Sequence, residues 1–546
     1  MGSIHFSNET VFHQQNSETF KNMIRPELVQ QLACPSFGLA TSWIISRQGK
    51  PAGSLEQVWR EFRRETWPFP KTKAGKDGEK ARKLREKAND LYRGNPTEMD
   101  RVLRAYNEGI CWAVEGSEEA AMGYGNRSAV YLKMGKYARC LANVELAKAS
   151  GYPDAKMEKL EERKRKCLEV LEGKTDEVGG EVFDELDSKK ELRVGEVAVV
   201  ERPLLVVVEP EAVQSRCNYC GSKNELDLIP CRKCVSVMYC SEKCRDEAYS
   251  CYHKFECAVI KDLKNLFRGP KPTRMFQLTL KLFWMALNDL INDQEGFLKK
   301  YQEGLKSFRD PLEMDLSKQL HMHVLANDEP DTSSDLTGKG VTQFLTVLIY
   351  KIAVEENESV PTQVLKDNNS LLLEIMQKLV LMAKQICDQS VDDLTCFYPL
   401  LQMINHSCAP NAERIVSGDL RSIILTKRPI NAGEQILICY FPNGSTDYKD
   451  KTKRKEMLQK EFQFECQCLG CSLDYPLLST IEENAELRGQ LEDIKTKSGD
   501  DRLKLLEDFL QQNDDQFPLK ELAEAWNLYK QEILKRFCFD VLQLAP

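Results

Sequence analysis

Eight side chains suited to binding a soft metal lie between Cys217 and Cys257. They run Cys217-x2-Cys220, Cys231-x2-Cys234, Cys240-x3-Cys244 and His253-x3-Cys257. Zinc takes four thiolate or imidazole ligands in a tetrahedron. A C-x2-C step lets one tight turn supply two thiolates. C-x3-C and H-x3-C steps put two ligands on one face of a helical turn. Eight ligands complete two four-ligand sites and leave no position for a catalytic water, which predicts a structural role. Cys251 lies inside the module but off the spacing and is expected to stay unligated. The start of the chain, MGSIHFSNETVFHQQ, lacks a secretory pattern, so an intracellular protein is expected. In a reducing compartment its 20 cysteines point to metal ligands rather than disulfides.

Further along, Tyr398-Pro399 precedes Asn405-His406-Ser407-Cys408-x-Pro410-Asn411. Then come Gly433-Glu434-x-Ile436-x-Ile438-Cys439-Tyr440 and Phe464-x-Cys466-x-Cys468-x2-Cys471. The first two motifs resemble the SET domain, and the third resembles its post-SET segment. The order of the eight upstream ligands resembles the MYND finger, with Tyr239 before Cys240 also in keeping. A SET region interrupted by a MYND finger and followed by post-SET resembles the SET and MYND domain-containing family. The helical region upstream is similar to that of the branch of the SET and MYND domain-containing protein 4 type. The resemblance covers residues 80 to 475.

The resemblance implies a protein-lysine N-methyltransferase that uses S-adenosylmethionine (SAM) to methylate a histone or non-histone protein. It implies three zinc ions. Cys217, Cys220, Cys240 and Cys244 would hold the first, and Cys231, Cys234, His253 and Cys257 the second. Cys408 would join Cys466, Cys468 and Cys471 around the third. Asn405 and His406 stand at the family's SAM-contacting positions, Tyr440 at its catalytic tyrosine, and Phe464 beside its substrate channel. In such a reaction a methyl passes from a sulfonium to a neutral amine by in-line displacement. No enzyme nucleophile is needed, only alignment of donor and acceptor. A low-dielectric channel lowers the lysine pKa, and aromatic walls suit a methylated ammonium.

Three positions depart from the family pattern. Glu181 to Asp187 replaces a glycine-rich turn whose backbone would approach the cofactor. Leu381 to Ile386 lacks an asparagine, and Asp392-Asp393 stands where a glycine is usual. These departures keep an alternative open: an inactive SET–MYND scaffold acting through its helical and MYND surfaces.

These motifs need elements to position them. Residues 1–78 read as a poorly defined head and linker, and residues 79–172 as TPR-like helices. Residues 181–216 read as the first part of SET, 217–257 as the MYND finger and 258–395 as a helical insert. Residues 396–445 read as the C-terminal SET core, 446–475 as post-SET and 476–546 as a helical C-terminal region. The fold class is therefore α+β and multidomain, with a split β-rich SET core. Strands are expected over Glu196–Glu209, Ser422–Lys427 and Gln435–Tyr440.

In the helical region Arg85, Asn89 and Asn126 stand near positions that could clamp a carboxylate, such as a chaperone C-terminus. A solvated helix face is the simpler reading of them. His321 and His323 lack partner ligands and read as surface residues. A net charge of −8 argues against non-specific nucleic-acid binding by the whole chain. No run of about 18 apolar residues occurs, so no membrane span is expected. Protein partners, a monomeric state and a cytoplasmic or nuclear location complete the expectations.

Overall fold

The computed structural model describes residues 75–94, 97–171, 191–266, 270–307, 346–347, 349–355, 357–386, 390–391, 393–441, 451–462, 464–476 and 478–536. The head at 1–74, the acidic stretch at 181–187, Asp392, His321 and His323 lie outside them. The chain divides into two units, 1–179 with 205–314 and 321–387, and 180–204 with 315–320 and 388–546.

The first unit begins with five helices, α1 (Gly78–Gly94), α2 (Met99–Trp112), α3 (Glu118–Lys133), α4 (Tyr137–Ala149) and α5 (Met157–Leu171). Helix α3 shows how the local sequence sets these bounds. The Ser117 hydroxyl accepts from the Ala120 N–H, Glu118 and Glu119 occupy the first turn, and Lys133 occupies the last. Gly135, at φ +72°, ends it. Glycines sit where the helices cross. A side chain at Gly123 would meet Ile110 at 2.6 Å, and one at Gly125 would meet the Tyr152 ring at 2.5 Å. Leu103, Tyr106, Ile110, Tyr131, Val144 and Leu160 fill the space between the helices.

Strand β2 (Leu205–Val208) follows, entirely buried. The cysteine module then forms a short hairpin, β3 (Ile229–Pro230) with β4 (Met238–Tyr239). After it come α6 (Glu242–Ala248), a π-helical turn at Tyr249–His253 and α7 (Lys254–Leu266). Among the described residues the insert carries α8 (Pro270–Asn292), α9 (Gln294–Ser307), a π-helical turn at Lys351–Glu355 and α10 (Thr362–Ile386). Lys281 on α8 is buried; its ammonium donates to the Val206 carbonyl at 2.8 Å and the Asn218 carbonyl at 3.2 Å. That one side chain ties the insert to β2 and to the cysteine module.

The second unit is built on an antiparallel sheet ordered β1 (Val197–Glu201), β9 (Ser422–Thr426), β8 (Ala412–Val416). Two smaller pairings accompany it: β5 (Ser390–Val391) antiparallel to β6 (Leu394–Phe397), and β7 (Asn405–His406) parallel to β10 (Leu437–Ile438). Among the described residues, strands resume after α10 at Ser390. Helix α11 (Lys451–Phe462) precedes Cys466 and Cys468, and α12 (Leu469–Ser472) carries Cys471. The C-terminal helices α13 (Ala485–Lys495), α14 (Gly499–Gln512) and α15 (Lys520–Arg536) share a core with Val194, Ile415 and Leu425. Gly195, at φ +81°, lies under α15, where any side chain would collide with the Tyr529 hydroxyl. No helix among the described residues is long and apolar enough to cross a membrane.

Candidate active site and metal centres

Three groups of four ligands converge. They are Cys217, Cys220, Cys240 and Cys244; Cys231, Cys234, His253 and Cys257; and Cys408, Cys466, Cys468 and Cys471. Within each group all ligand atoms lie within 4.8 Å of one another. A tetrahedral zinc with Zn–S bonds of about 2.3 Å needs sulfurs about 3.8 Å apart. The sulfurs of Cys220 and Cys240 are 3.6 Å apart, those of Cys240 and Cys244 3.4 Å, and those of Cys231 and Cys257 3.8 Å. In the third group the Cys408 and Cys471 sulfurs stand at 3.7 Å. Donor chemistry and spacing both fit zinc, so each group is a site that could hold one ion. Cys251 belongs to none of them.

Local folding explains the convergence. The Ser241 hydroxyl caps α6 by accepting from the Cys244 N–H, which fixes the turn carrying Cys240 and Cys244. His253 closes the π-helical turn, and Cys257 sits one turn into α7. His253 is wholly enclosed, with Nε2 at 3.2 Å from the Cys231 sulfur and 3.6 Å from the Cys234 sulfur. Its Nδ1 lies 2.6 Å from a Glu256 carboxylate oxygen, itself buried. A carboxylate behind a ligating imidazole fixes the tautomer and makes the ligand more basic. Glu256 is a partner of the candidate ligand His253 that ligand spacing did not reveal. An acid one position before a terminal ligand was the available signal.

In the second unit, β7 and β10 bring the SET-like residues together. Asn405 is exposed, and its amide donates to Gln435 Oε1 at 3.3 Å. His406 is buried, and its Nδ1 accepts from the Tyr440 N–H at 3.0 Å. Burial pushes the imidazole down to about 4, which leaves it neutral at pH 7 and able to accept. The Tyr440 hydroxyl donates to the Ile404 carbonyl at 2.7 Å. Burial raises this phenol to about 12, so it stays protonated.

Rings cluster around this pair. His406 lies 5.1 Å from Tyr440, 5.5 Å from Phe441 and 6.1 Å from Phe464, centroid to centroid. Phe462 lies 5.0 Å from Tyr440. The third ligand group adjoins the cluster, with His406 Nε2 at 3.3 Å from the Cys408 sulfur. All the residues read from the SET-like motifs, Asn405, His406, Tyr440 and Phe464, therefore fall in one neighbourhood. Phe441 and Phe462 join them unforeseen.

The suggested carboxylate clamp is engaged differently. Arg85 pairs with Glu119 at 3.0 Å, and Asn89 Oδ1 accepts from both the Tyr106 hydroxyl and the Asn126 amide at 2.8 Å. These donors serve the contacts between α1, α2 and α3, because inter-helix packing draws their side chains inward.

Residues 188–441 match the SET domain family. The matched region contains the cysteine module and the helical insert. The chain is 22% identical to "Protein-lysine N-methyltransferase SMYD4" of Danio rerio over 68% of this chain and 62% of the relative. It is 26% identical to "Histone-lysine N-methyltransferase SMYD3" of Mus musculus over 51% of this chain and 57% of the relative. "Histone-lysine N-methyltransferase ASHR1" of Arabidopsis thaliana is 25% identical over 56% of each chain. These matches span about three fifths of the length of the curated relatives.

Proposed function

We propose that the protein is a SAM-dependent protein-lysine N-methyltransferase. What carries the reading is the aromatic group formed by His406, Tyr440, Phe441, Phe462 and Phe464 on the β7–β10 pair. Asn405 and His406 fit the cofactor by their chemistry. One strand offers an exposed amide with a donor and an acceptor, next to a buried neutral imidazole. Bound SAM supplies an electrophilic methyl on a sulfonium.

The chain's own residues hold the acceptor. Tyr440 stays a protonated phenol whose hydrogen is committed to the Ile404 carbonyl, leaving oxygen lone pairs to receive an N–H of a lysine amine. His406 fixes the tyrosine's backbone through its N–H. The aromatic rings exclude water and favour the neutral amine before transfer and the methylated ammonium after it.

The three cysteine-rich groups are read as structural zinc sites with the ligands given above, and α1–α5 as TPR-like repeats. The full ligand sets and the tight glycine crossings of α3 support those readings.

The test uses zinc-loaded full-length protein, S-adenosylhomocysteine in calorimetry, and labelled SAM with core histones as the acceptor probe. Micromolar binding of S-adenosylhomocysteine is expected. Tyr440→Phe is expected to lower transfer by about 10²-fold, the scale of a misaligned acceptor, with zinc content unchanged. Undiminished transfer would remove Tyr440 from the mechanism. No cofactor binding by the folded wild type would sink the enzyme reading and favour a scaffold.

A further inference from the structure

Glu201 ends β1 and has no part in the SET-like motifs, yet its carboxylate is buried, with 8% of the residue exposed. One oxygen accepts from the Leu400 N–H at 2.8 Å and the other from the Leu401 N–H at 2.9 Å. These N–H groups open the 3-10 turn Leu401–Met403. The first N–H groups of a helical turn have no partner within the turn, so a carboxylate there supplies what the local sequence cannot. Here the cap comes from a strand 199 residues earlier. Burial raises the Glu201 carboxyl, and the two N–H bonds and the nearby Arg414 oppose that rise.

The turn leads directly into the candidate site. Its Met403 N–H bonds the Leu400 carbonyl, and its Ile404 N–H bonds the Leu401 carbonyl. The Ile404 carbonyl then receives the Tyr440 hydroxyl at 2.7 Å. Asn405 and His406 follow at once. One carboxylate thus fixes the start of a turn whose last residue orients the tyrosine.

We propose that Glu201 is a positioning residue for methyl transfer, holding the turn at 400–404 so that the Ile404 carbonyl aligns the Tyr440 hydroxyl. The inference rests on the methyltransferase reading. It assigns Glu201 to acceptor alignment more than to cofactor affinity, because its effect reaches the site through Ile404 and Tyr440.

The test compares wild type, Glu201→Gln and Glu201→Ala as zinc-loaded full-length proteins. Glu201→Gln keeps the size and one acceptor oxygen, so it is expected to fall between the other two. Amide exchange over 398–406 is expected to rise at least about tenfold in Glu201→Ala. The kcat for methyl transfer to core histones is expected to fall at least about tenfold, with KM for SAM within about twofold. Exchange elsewhere in the chain and zinc content should hold. If Glu201→Ala fails to fold, the Glu201→Gln arm carries the comparison. Unchanged exchange over 398–406, or faster exchange with kcat unchanged, would overturn the proposal. A rise in KM for SAM with kcat unchanged would also overturn it. A folded wild type that binds no S-adenosylhomocysteine would overturn the methyltransferase reading and this inference with it. An active wild type beside an equally active Glu201→Ala would overturn the inference alone.

Discussion

Single side chains here act through the groups behind them. His253 offers Nε2 toward two cysteine sulfurs because Glu256 holds Nδ1 at 2.6 Å. Replacing Glu256 with Gln keeps the size but removes the charge that makes the imidazole basic. Zinc affinity at that group should fall by about 10- to 100-fold. Competition with a chromophoric chelator would measure this. Affinity equal to wild type would mean that Glu256 serves only packing. Tyr440 follows the same rule, since its hydroxyl is fixed by a backbone carbonyl and its N–H by a buried imidazole.

At the scale of elements, the sheet of the second unit is clasped by its own C-terminal helices. Glu413 on β8 accepts from the Trp526 indole and pairs with Lys530 at 2.6 Å, both on α15. Arg428 holds Asp514 through two hydrogen bonds, at 2.6 and 3.0 Å. Burial raises the Glu413 carboxyl, but Lys530, Lys427 and the two hydrogen bonds outweigh it. The net effect holds the carboxyl below the ordinary glutamate value. A carboxyl lowered in the folded state contributes stability above its unfolded pKa and loses it as pH falls through the folded one. Stability measured on wild type minus that of Glu413→Gln should therefore be constant above pH 5 and shrink as acid is added below about 4.5. A difference that does not change with pH would show that the pairing contributes nothing through charge.

Across the first unit, the helices and the cysteine module are joined by one buried cation. Arg127 on α3 is fully enclosed and donates to Asn143 and Asn107 at 2.6 Å, to the Leu228 carbonyl at 2.7 Å and to Asp227 at 2.8 Å. Asn107 donates in turn to the Leu226 and Gln214 carbonyls. Asp227 lies between the first and second ligand pairs, so this network makes the helical layer and the cysteine module one packed body. Asp227→Ala leaves the guanidinium buried without its counter-charge and should cost about 3–5 kcal/mol. Chemical denaturation would measure it. The double variant Arg127→Met with Asp227→Leu should recover much of that loss. A loss below about 1 kcal/mol for Asp227→Ala would mean that water reaches the site.

The ligand groups and the SET-like residues were legible in the sequence because their chemistry requires particular residue types at short spacings. Two cysteines two residues apart can share a turn whatever surrounds them. The helices at 78–171 and the strands near 197, 422 and 437 were legible too, since periodicity is local. Other features depended on residues far apart in the chain. Glu201 reaches Leu400 across 199 residues, and Arg127 reaches Asp227 across 100. Neither acid has a sequence neighbour that would mark its task. Arg85, Asn89 and Asn126 looked like free donors until inter-helix packing paired them. The sequence by itself determined which atoms could bind metal and which strands carry the candidate site. Only the tertiary structure decided which buried charges hold those strands in place, because a desolvated charge persists only where folding brings it a partner.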